Sequence, residues 1–232
     1  PTQFKEPNIM TFTDTSVSVV VGGATGIGRA VAEALKARPG RVEIAGRRNS
    51  IDISDEASVA AYFKQVGPVD HVVVTAGSSA PGGGVTQVDL GAAKAAFDVK
   101  FWGSVIVTRE AAKHIPPGGT VTLTSGFLAR RTVPGAFVKT AMNAALEATA
   151  KMLAKELAPI RVNIVSPGLT RTEAYSGMDE AAREQMFAGA AERLPAGRVT
   201  EAADVAAGYL FVIDNPSVTG AVIDIDGGAL IN

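Results

Sequence analysis

The chain has 232 residues, with 23 acidic and 22 basic side chains, no cysteine and a formal net charge of −1. This length predicts one domain, over residues 1–232, with enough chain to bury a sizeable core. The balanced charge gives no sign of binding to nucleic acid or to an anionic membrane, and the lack of cysteine excludes disulfides and thiolate chemistry.

Apolar, β-branched runs alternate along the chain with alanine-rich segments of helical period. The runs predict strands at 17–22, 41–46, 70–77, 119–125, 160–168 and 220–228. The segments between them predict helices near 26–38, 54–66, 89–114, 135–158 and 201–214. This alternation predicts an α/β fold of the Rossmann type, a doubly wound parallel sheet of six to seven strands in three layers.

Two segments depart from the alternation. "NSIDIS" (49–54) follows the second strand after only a few residues, whereas a parallel crossover needs about a dozen or more. It is either an extended edge segment or the mark of a helix that is absent. Residues 169–200 follow a Pro-Gly break and lack strand signals, so we expect a mobile flap over a site there.

The start of the chain, "PTQFKEPNIMTFTDTS", lacks the basic-then-apolar order of a signal peptide. We expect residues 1–15 to form a flexible N-terminal arm. No apolar run approaches the roughly 20 residues of a membrane span, so a cytoplasmic protein is the expectation. His71 and His114 are too few and too isolated to indicate a metal site.

The stretch "VVVGGATGIGRAVAEAL" places Gly22, Gly26 and Gly28 between the first strand and a helix. Glycines at such a turn let the backbone approach a pyrophosphate, which is then held by N–H groups and the dipole of the helix N-terminus. A glycine-rich turn alone is often only structural. The strand–turn–helix context makes dinucleotide binding the favoured interpretation.

The spacing Gly-x-x-x-Gly-Ile-Gly resembles that of the short-chain dehydrogenase/reductase family, and the resemblance covers most of the chain. "DIS" (52–54) is similar to the family's adenine-contact motif, and "TAG" (75–77) to its Asn-Ala-Gly, with Thr75 for the asparagine. "SPGLTRT" (166–172) resembles the Pro-Gly motif that lines the nicotinamide, and "VTGAVIDIDGG" (218–228) the C-terminal strand. The resemblance implies these cofactor-binding residues: Gly22, Thr25, Gly26, Ile27, Gly28, Arg47, Arg48, Asp52, Ile53, Ala76, Gly77, Lys139, Pro167, Gly168, Thr170 and Thr172.

The second strand ends in "AGRRNS", where NAD enzymes usually carry an acidic residue that binds the ribose 2′-hydroxyl. Arg47 and Arg48 stand there instead and suit a 2′-phosphate through charge-assisted hydrogen bonds. One or both arginines could equally be solvated loop charges. We favour NADP as the cofactor, with Arg47 the main contact.

In the family, a serine and a Tyr-x-x-x-Lys pair act on a carbonyl, with an asparagine completing a proton relay. Ser125 and Lys139 match the serine and the lysine, although a strand-end serine can also bond the backbone and a lysine can also lie on a solvated face. Gly135 stands where the tyrosine is expected, and Lys100 where the asparagine is expected. The resemblance therefore implies an oxidoreductase that keeps the serine and the lysine but has other residues in place of the tyrosine and the asparagine of the proton relay.

Three functions remain open at this stage. The first is an NADP(H)-dependent oxidoreductase of a small carbonyl or alcohol, with Ser125, Lys139 and Lys100 as the catalytic residues. Lys100 and Lys139, if adjacent, disfavour double protonation, so one of them could act as a general acid near neutral pH. The second function is a catalytically silent NADP(H)-binding sensor or scaffold, and the third a structural subunit of an active relative's oligomer. A homo-oligomer, dimer or tetramer, is expected from the resemblance and from Phe97, Phe101 and Trp102 on one predicted helix.

Overall fold

The computed structural model describes residues 12–47, 50–77 and 79–232. Arg48, Ser78 and most of the expected N-terminal arm lie outside the described residues. Within them, six parallel strands form one sheet in the order β2-β1-β3-β4-β5-β8. The strands are β1 Val17–Val21, β2 Arg41–Ala45, β3 His71–Val74, β4 Thr120–Thr124, β5 Arg161–Pro167 and β8 Val222–Ile225. The predicted fold class is confirmed.

A second, two-stranded sheet and seven α-helices complete the described fold. The small sheet pairs β6 Thr170–Arg171 with β7 Thr200–Glu201. The helices are α1 Gly26–Lys36, α2 Glu56–Val66, α3 Leu90–Phe97, α4 Gly103–Ala112, α5 Phe137–Glu156, α6 Glu180–Ala191 and α7 Ala202–Asp214.

Helices cover both faces of the sheet. Successive side chains of a strand point to opposite faces, so each strand contributes to both cores. Val19 and Val21 of β1 pack into a core that includes side chains of α2, α4 and α5. Val20, between them, packs into a second core with Val31 of α1 and Val205 of α7. The result is the expected three-layer arrangement.

Three predicted boundaries are corrected. Residues 50–54 form no strand, so β2 lies at the edge of the described sheet. The predicted helix 89–114 is interrupted by a π-helical turn, Asp98–Trp102, between α3 and α4. The predicted helix 135–158 begins only at Phe137, because Gly135 adopts a φ of +79°, which is outside the helical region.

Candidate functional site

The sequence-predicted site residues lie at one edge of the sheet. Gly22 follows β1, Arg47 follows β2, Ala76 follows β3, Ser125 follows β4, and Pro167 ends β5. All of these strands are parallel, so their carboxyl ends meet at that edge. Ligands of open α/β sheets bind in the crevice outside these strand ends.

The glycine turn leaves space only for backbone. Gly22 has a φ of +88°, and a Cβ atom on it would lie 2.7 Å from the Ala76 nitrogen. A Cβ atom on Gly28 would lie 2.2 Å from the Gly22 carbonyl oxygen, so α1 packs against the turn as closely as glycine allows. Thr25, the residue before α1, makes no side-chain capping bond. The residues present therefore fit the pyrophosphate of a dinucleotide, which needs close backbone approach and helix N–H donors.

The predicted adenosine-side residues differ in exposure. Arg47 is exposed at the end of β2, near enough to Asp52 to contribute to the electrostatics of that carboxylate. Hydrogen bonds from the Ser54 hydroxyl and backbone N–H hold the pKa of Asp52 below its usual value. Ile53 is buried against the start of α4, where a Cβ atom on Gly103 would lie 2.8 Å from its side chain. Only the backbone of Ile53 is therefore available to a ligand.

The predicted nicotinamide-side residues lie where β5 meets the flap. A Cβ atom on Gly168 would lie 2.7 Å from the Asp226 Cα, so the two chain segments touch there. Thr170 is buried and its hydroxyl donates to the Gly168 carbonyl at 3.0 Å. Thr172 packs against the glycine turn, 3.5 Å from the position that a Gly26 Cβ would take. Thr172 thus brings the segment that follows β5 into contact with the glycine turn.

Lys100 projects from the π-helical turn into the protein. Its Nζ donates to the Ser125 carbonyl at 3.2 Å, and the Ser104 hydroxyl donates to the Lys100 carbonyl at 2.6 Å. Burial, together with the nearby positive charge of Lys139, lowers the pKa of Lys100 to about 8. Single π-helical turns within α-helices are frequent at functional sites. An ammonium group that titrates near neutral pH can serve as a general acid.

Lys139 lies in the first turn of α5 and is exposed. Gly135 lies in the turn before the helix, where its carbonyl accepts from the Gly83 N–H at 2.9 Å. Gly135 is therefore not one helical turn behind Lys139 on the same face. A side chain at 135 would not project from α5 at all.

Ser125 is buried and its hydroxyl donates to the Glu147 carboxylate at 2.9 Å. Arg130 holds that carboxylate from the other side at 3.0 Å and also pairs with Asp224. A hydroxyl has one hydrogen to donate. In this geometry Ser125 offers its lone pairs, and not its proton, to a ligand.

Sequence reasoning missed Asn143 and Glu147. Both follow Lys139 at four-residue spacing on one face of α5. The Asn143 side chain is 5% exposed, its Nδ2 lies 3.1 Å from the position a Gly126 Cβ would take, and its Oδ1 accepts no hydrogen bond from the described residues. The helical spacing of polar residues after Lys139 is the signal that could have identified them.

The three tyrosines are engaged elsewhere. Tyr209 is fully buried in α7, where its hydroxyl shares a 2.5 Å hydrogen bond with Thr124. Burial raises the pKa of Tyr62, in α2, to about 12. Tyr175, in the flap, packs edge-to-face on Phe187 with ring centroids 5.5 Å apart.

The comparisons with known proteins agree with this geometry. A family model described as enoyl-(acyl carrier protein) reductase matches residues 43–229. The short-chain dehydrogenase/reductase ATR9 of Stachybotrys chlorohalonatus is 31% identical, in a match that covers 92% of this chain and 96% of the relative. The chain belongs to the short-chain dehydrogenase/reductase family.

Solved structures are also similar to this short-chain dehydrogenase/reductase. A small-chain dehydrogenase crystallised in complex with NADPH is 52% identical, with a TM-score of 0.91, and the match covers 94% of this chain and all of the other. Among relatives compared by sequence, a 3-oxoacyl-[acyl-carrier-protein] reductase of Mus musculus is 28% identical, in a match that covers 91% of this chain and 97% of the relative. Within the described residues, no helix of this family member has the length and apolarity to span a membrane.

Proposed function

We propose that this protein is an NADP(H)-dependent oxidoreductase that interconverts a small carbonyl compound and its alcohol, with a lysine pair in place of the tyrosine acid that its family uses. The observation that carries the proposal is the half-buried Lys100, whose Nζ donates to the Ser125 carbonyl at the carboxyl edge of the sheet and whose pKa is lowered to about 8 by burial and by Lys139. Such a group is matched to proton transfer near neutral pH.

The cofactor assignment is supported by the glycine turn and by a relative at 52% identity that was crystallised with NADPH. In the proposal the N–H groups around Gly26 hold the pyrophosphate and Arg47 pairs with the 2′-phosphate. Arg48, proposed beside it, lies outside the described residues. The other proposed contacts are Gly22, Thr25, Ile27, Gly28, Asp52, Ile53, Ala76, Gly77, Lys139, Pro167, Gly168, Thr170 and Thr172.

NADPH, when bound, supplies the hydride. The chain must then supply a proton and polarise the carbonyl oxygen. Because the Ser125 hydrogen is used by Glu147, the proposal assigns the proton to the lysine pair. Lys139 contributes its positive charge, which favours loss of the proton from Lys100. Asn143, with its unpaired buried Oδ1, could accept a hydrogen bond from a water that Lys100 holds.

A silent NADP(H)-binding sensor or scaffold is the second candidate. It is favoured by the Ser125–Glu147 hydrogen bond, which removes a donor that carbonyl reduction in the family needs. Absence of turnover together with tight NADPH binding would select this function. Co-purification with an active relative would select a third, a structural subunit.

We also propose a single domain with a flap at 169–200, a cytoplasmic location and a homo-oligomer. The contact of Thr172 with the glycine turn supports the flap.

Calorimetry with NADPH and NADH tests the cofactor, and an NADPH-oxidation screen against aldehydes, ketones, quinones and imines tests the activity. We expect the native protein to bind NADPH at least tenfold more tightly than NADH, since a charge-assisted contact to the phosphate contributes about 1.5–3 kcal/mol. Arg47→Asp should reverse this preference, whereas Arg109→Asp, on the exposed side of α4, should leave it unchanged. Equal binding of both cofactors by the native protein would contradict the assignment.

A further inference from the structure

The N-terminus of α1 is already occupied by an anion from the protein itself. Glu173, at the start of the flap, accepts the Gly26 N–H on Oε2 at 2.9 Å and forms an ion pair with Arg29. Gly26 and Glu173 are 147 residues apart in sequence. The contact is therefore tertiary and does not arise from a local turn.

The carboxylate takes the role of a helix cap. Thr25, at the N-cap position, makes no side-chain capping bond, and the first turn of α1 contains no acidic residue. The pKa of Glu173 is lowered by its own backbone N–H, by the Gly26 N–H and by Arg29, so the group is charged at neutral pH. Anions are stabilised at helix N-termini by the free N–H groups and the helix dipole.

A cleft of about 470 Å³ opens at the same place. Gly26 and Arg29 line it from α1, and Thr172, Glu173 and Ser176 line it from the flap. The cleft lies between the glycine turn and the segment after β5, so an anion bound at the N-terminus of α1 would lie beside the Glu173 carboxylate.

We propose that Glu173 is a built-in competitor of the cofactor pyrophosphate, and that Arg29, once released from Glu173, pairs with that pyrophosphate. The inference rests on the proposed function only in that the protein binds NADP(H). Two anions do not share one N–H donor, and like charges repel at this distance. Cofactor binding therefore displaces Glu173, which detaches the start of the flap from α1.

The test is calorimetry with NADPH and with adenosine 2′-monophosphate, which has no pyrophosphate. Glu173→Gln keeps the size of the side chain and removes its charge. We expect this variant to bind NADPH about three- to tenfold more tightly than the native protein, with no change for adenosine 2′-monophosphate. Glu180→Gln is the matched control, because Glu180 is an exposed carboxylate of the same segment that does not line the cleft.

Arg29 is tested in the Glu173→Gln background, where it has no carboxylate partner. Adding Arg29→Met should remove the gain in NADPH affinity and again leave adenosine 2′-monophosphate unaffected. Limited proteolysis of the flap gives a second readout: Glu173→Gln without ligand should be cleaved within 169–180 at the rate of the native protein with NADPH.

The outcomes separate this inference from the proposed function. If the native protein and Glu173→Gln bind NADPH with equal affinity, the proposed competition is wrong while cofactor binding stands. The same holds if Glu173→Gln raises the affinity for NADPH and for adenosine 2′-monophosphate equally. If no variant binds NADPH, the proposed function fails and the competition fails with it. A gain in affinity confined to NADPH supports the competition and the binding of NADP(H).

Discussion

At the scale of single residues, the backbone at Gly135 decides what a side chain could do there. Its φ of +79° lies in the left-handed region, although a Cβ atom would meet Gly83 only at an ordinary 3.6 Å. We predict that Gly135→Ala lowers the free energy of unfolding by about 1–2 kcal/mol, because that is the cost of the left-handed conformation for an L-residue. Urea denaturation measures the difference.

Gly177→Ala is the control for this prediction. A Cβ atom there would meet nothing within 4 Å, and its φ lies outside the left-handed region. Its effect should stay within about 0.5 kcal/mol. Gly135→Tyr should lose stability in the same way and gain no turnover. Recovery of fast turnover by that variant would show that position 135 can present an acid to the site.

At the scale of elements, the contact of α1 with the glycine turn tolerates no side chain at Gly28. An added Cβ would lie 2.2 Å from the Gly22 carbonyl oxygen, so the turn must move. We predict that Gly28→Ala costs about 1–3 kcal/mol of stability, the range for overpacking, and weakens NADPH binding at least tenfold. Thermal unfolding and calorimetry measure the two effects.

Gly189→Ala should raise the stability of the protein, whereas Gly28→Ala should lower it. Gly189 lies inside α6, where a Cβ atom would meet only the end of the Arg193 side chain at 3.7 Å. Alanine is a better helix former than glycine by about 0.5–1 kcal/mol, so stability should rise. A loss at both positions would mean that the close packing of α1 is not the cause at Gly28.

The elements also show which features can be read from sequence. The strands and most helices were predictable, because a strand buried on both faces is a continuous apolar run and a helix packed on a sheet has an apolar period of 3.6. The start of α5 was not, since a glycine in an alanine-rich run is compatible with a helix until its φ is known. The π-helical turn at Lys100 was equally hidden, because it inserts no distinctive residue into "FDVKFWG".

At the scale of the whole molecule, α3, the π-helical turn and α5 carry exposed apolar side chains. Trp102 is 53% exposed and packs edge-to-face on Phe101, and Phe137 and Met152 of α5 are also exposed. We predict a homo-oligomer through this face, because a monomer seldom exposes such groups together. Light scattering at micromolar concentration should give a multiple of the 23.8 kDa chain mass.

Trp102→Glu should lower that mass towards the monomer. Val85→Glu, which adds the same charge at an exposed loop residue, should not change it. Since Trp102 is the one tryptophan in the sequence, its fluorescence should also shift to longer wavelength when the native protein is diluted. A monomeric native mass would refute the oligomer.

For the whole molecule, contacts between distant segments are the features that the sequence predicts least well. The placement of Lys100 beside Lys139 could be anticipated from family positions. The bonds of Ser125 to Glu147, of Arg130 to Asp224, and of Gly26 to Glu173 could not, because each depends on how separate elements pack. Arg130 is held by Glu147 and Asp224, two residues that are distant from it in the sequence.

The most direct test of the lysine-pair acid is the pH dependence of carbonyl reduction at saturating NADPH. Reduction needs the protonated form of Lys100, so turnover should be level below pH 8 and fall above it. Lys100→Met should lose about a hundred- to ten-thousand-fold in turnover. Lys139→Met removes the neighbouring positive charge, which raises the pKa of Lys100 and should move the fall in turnover to higher pH. An unchanged profile and unchanged turnover in Lys139→Met would contradict the account.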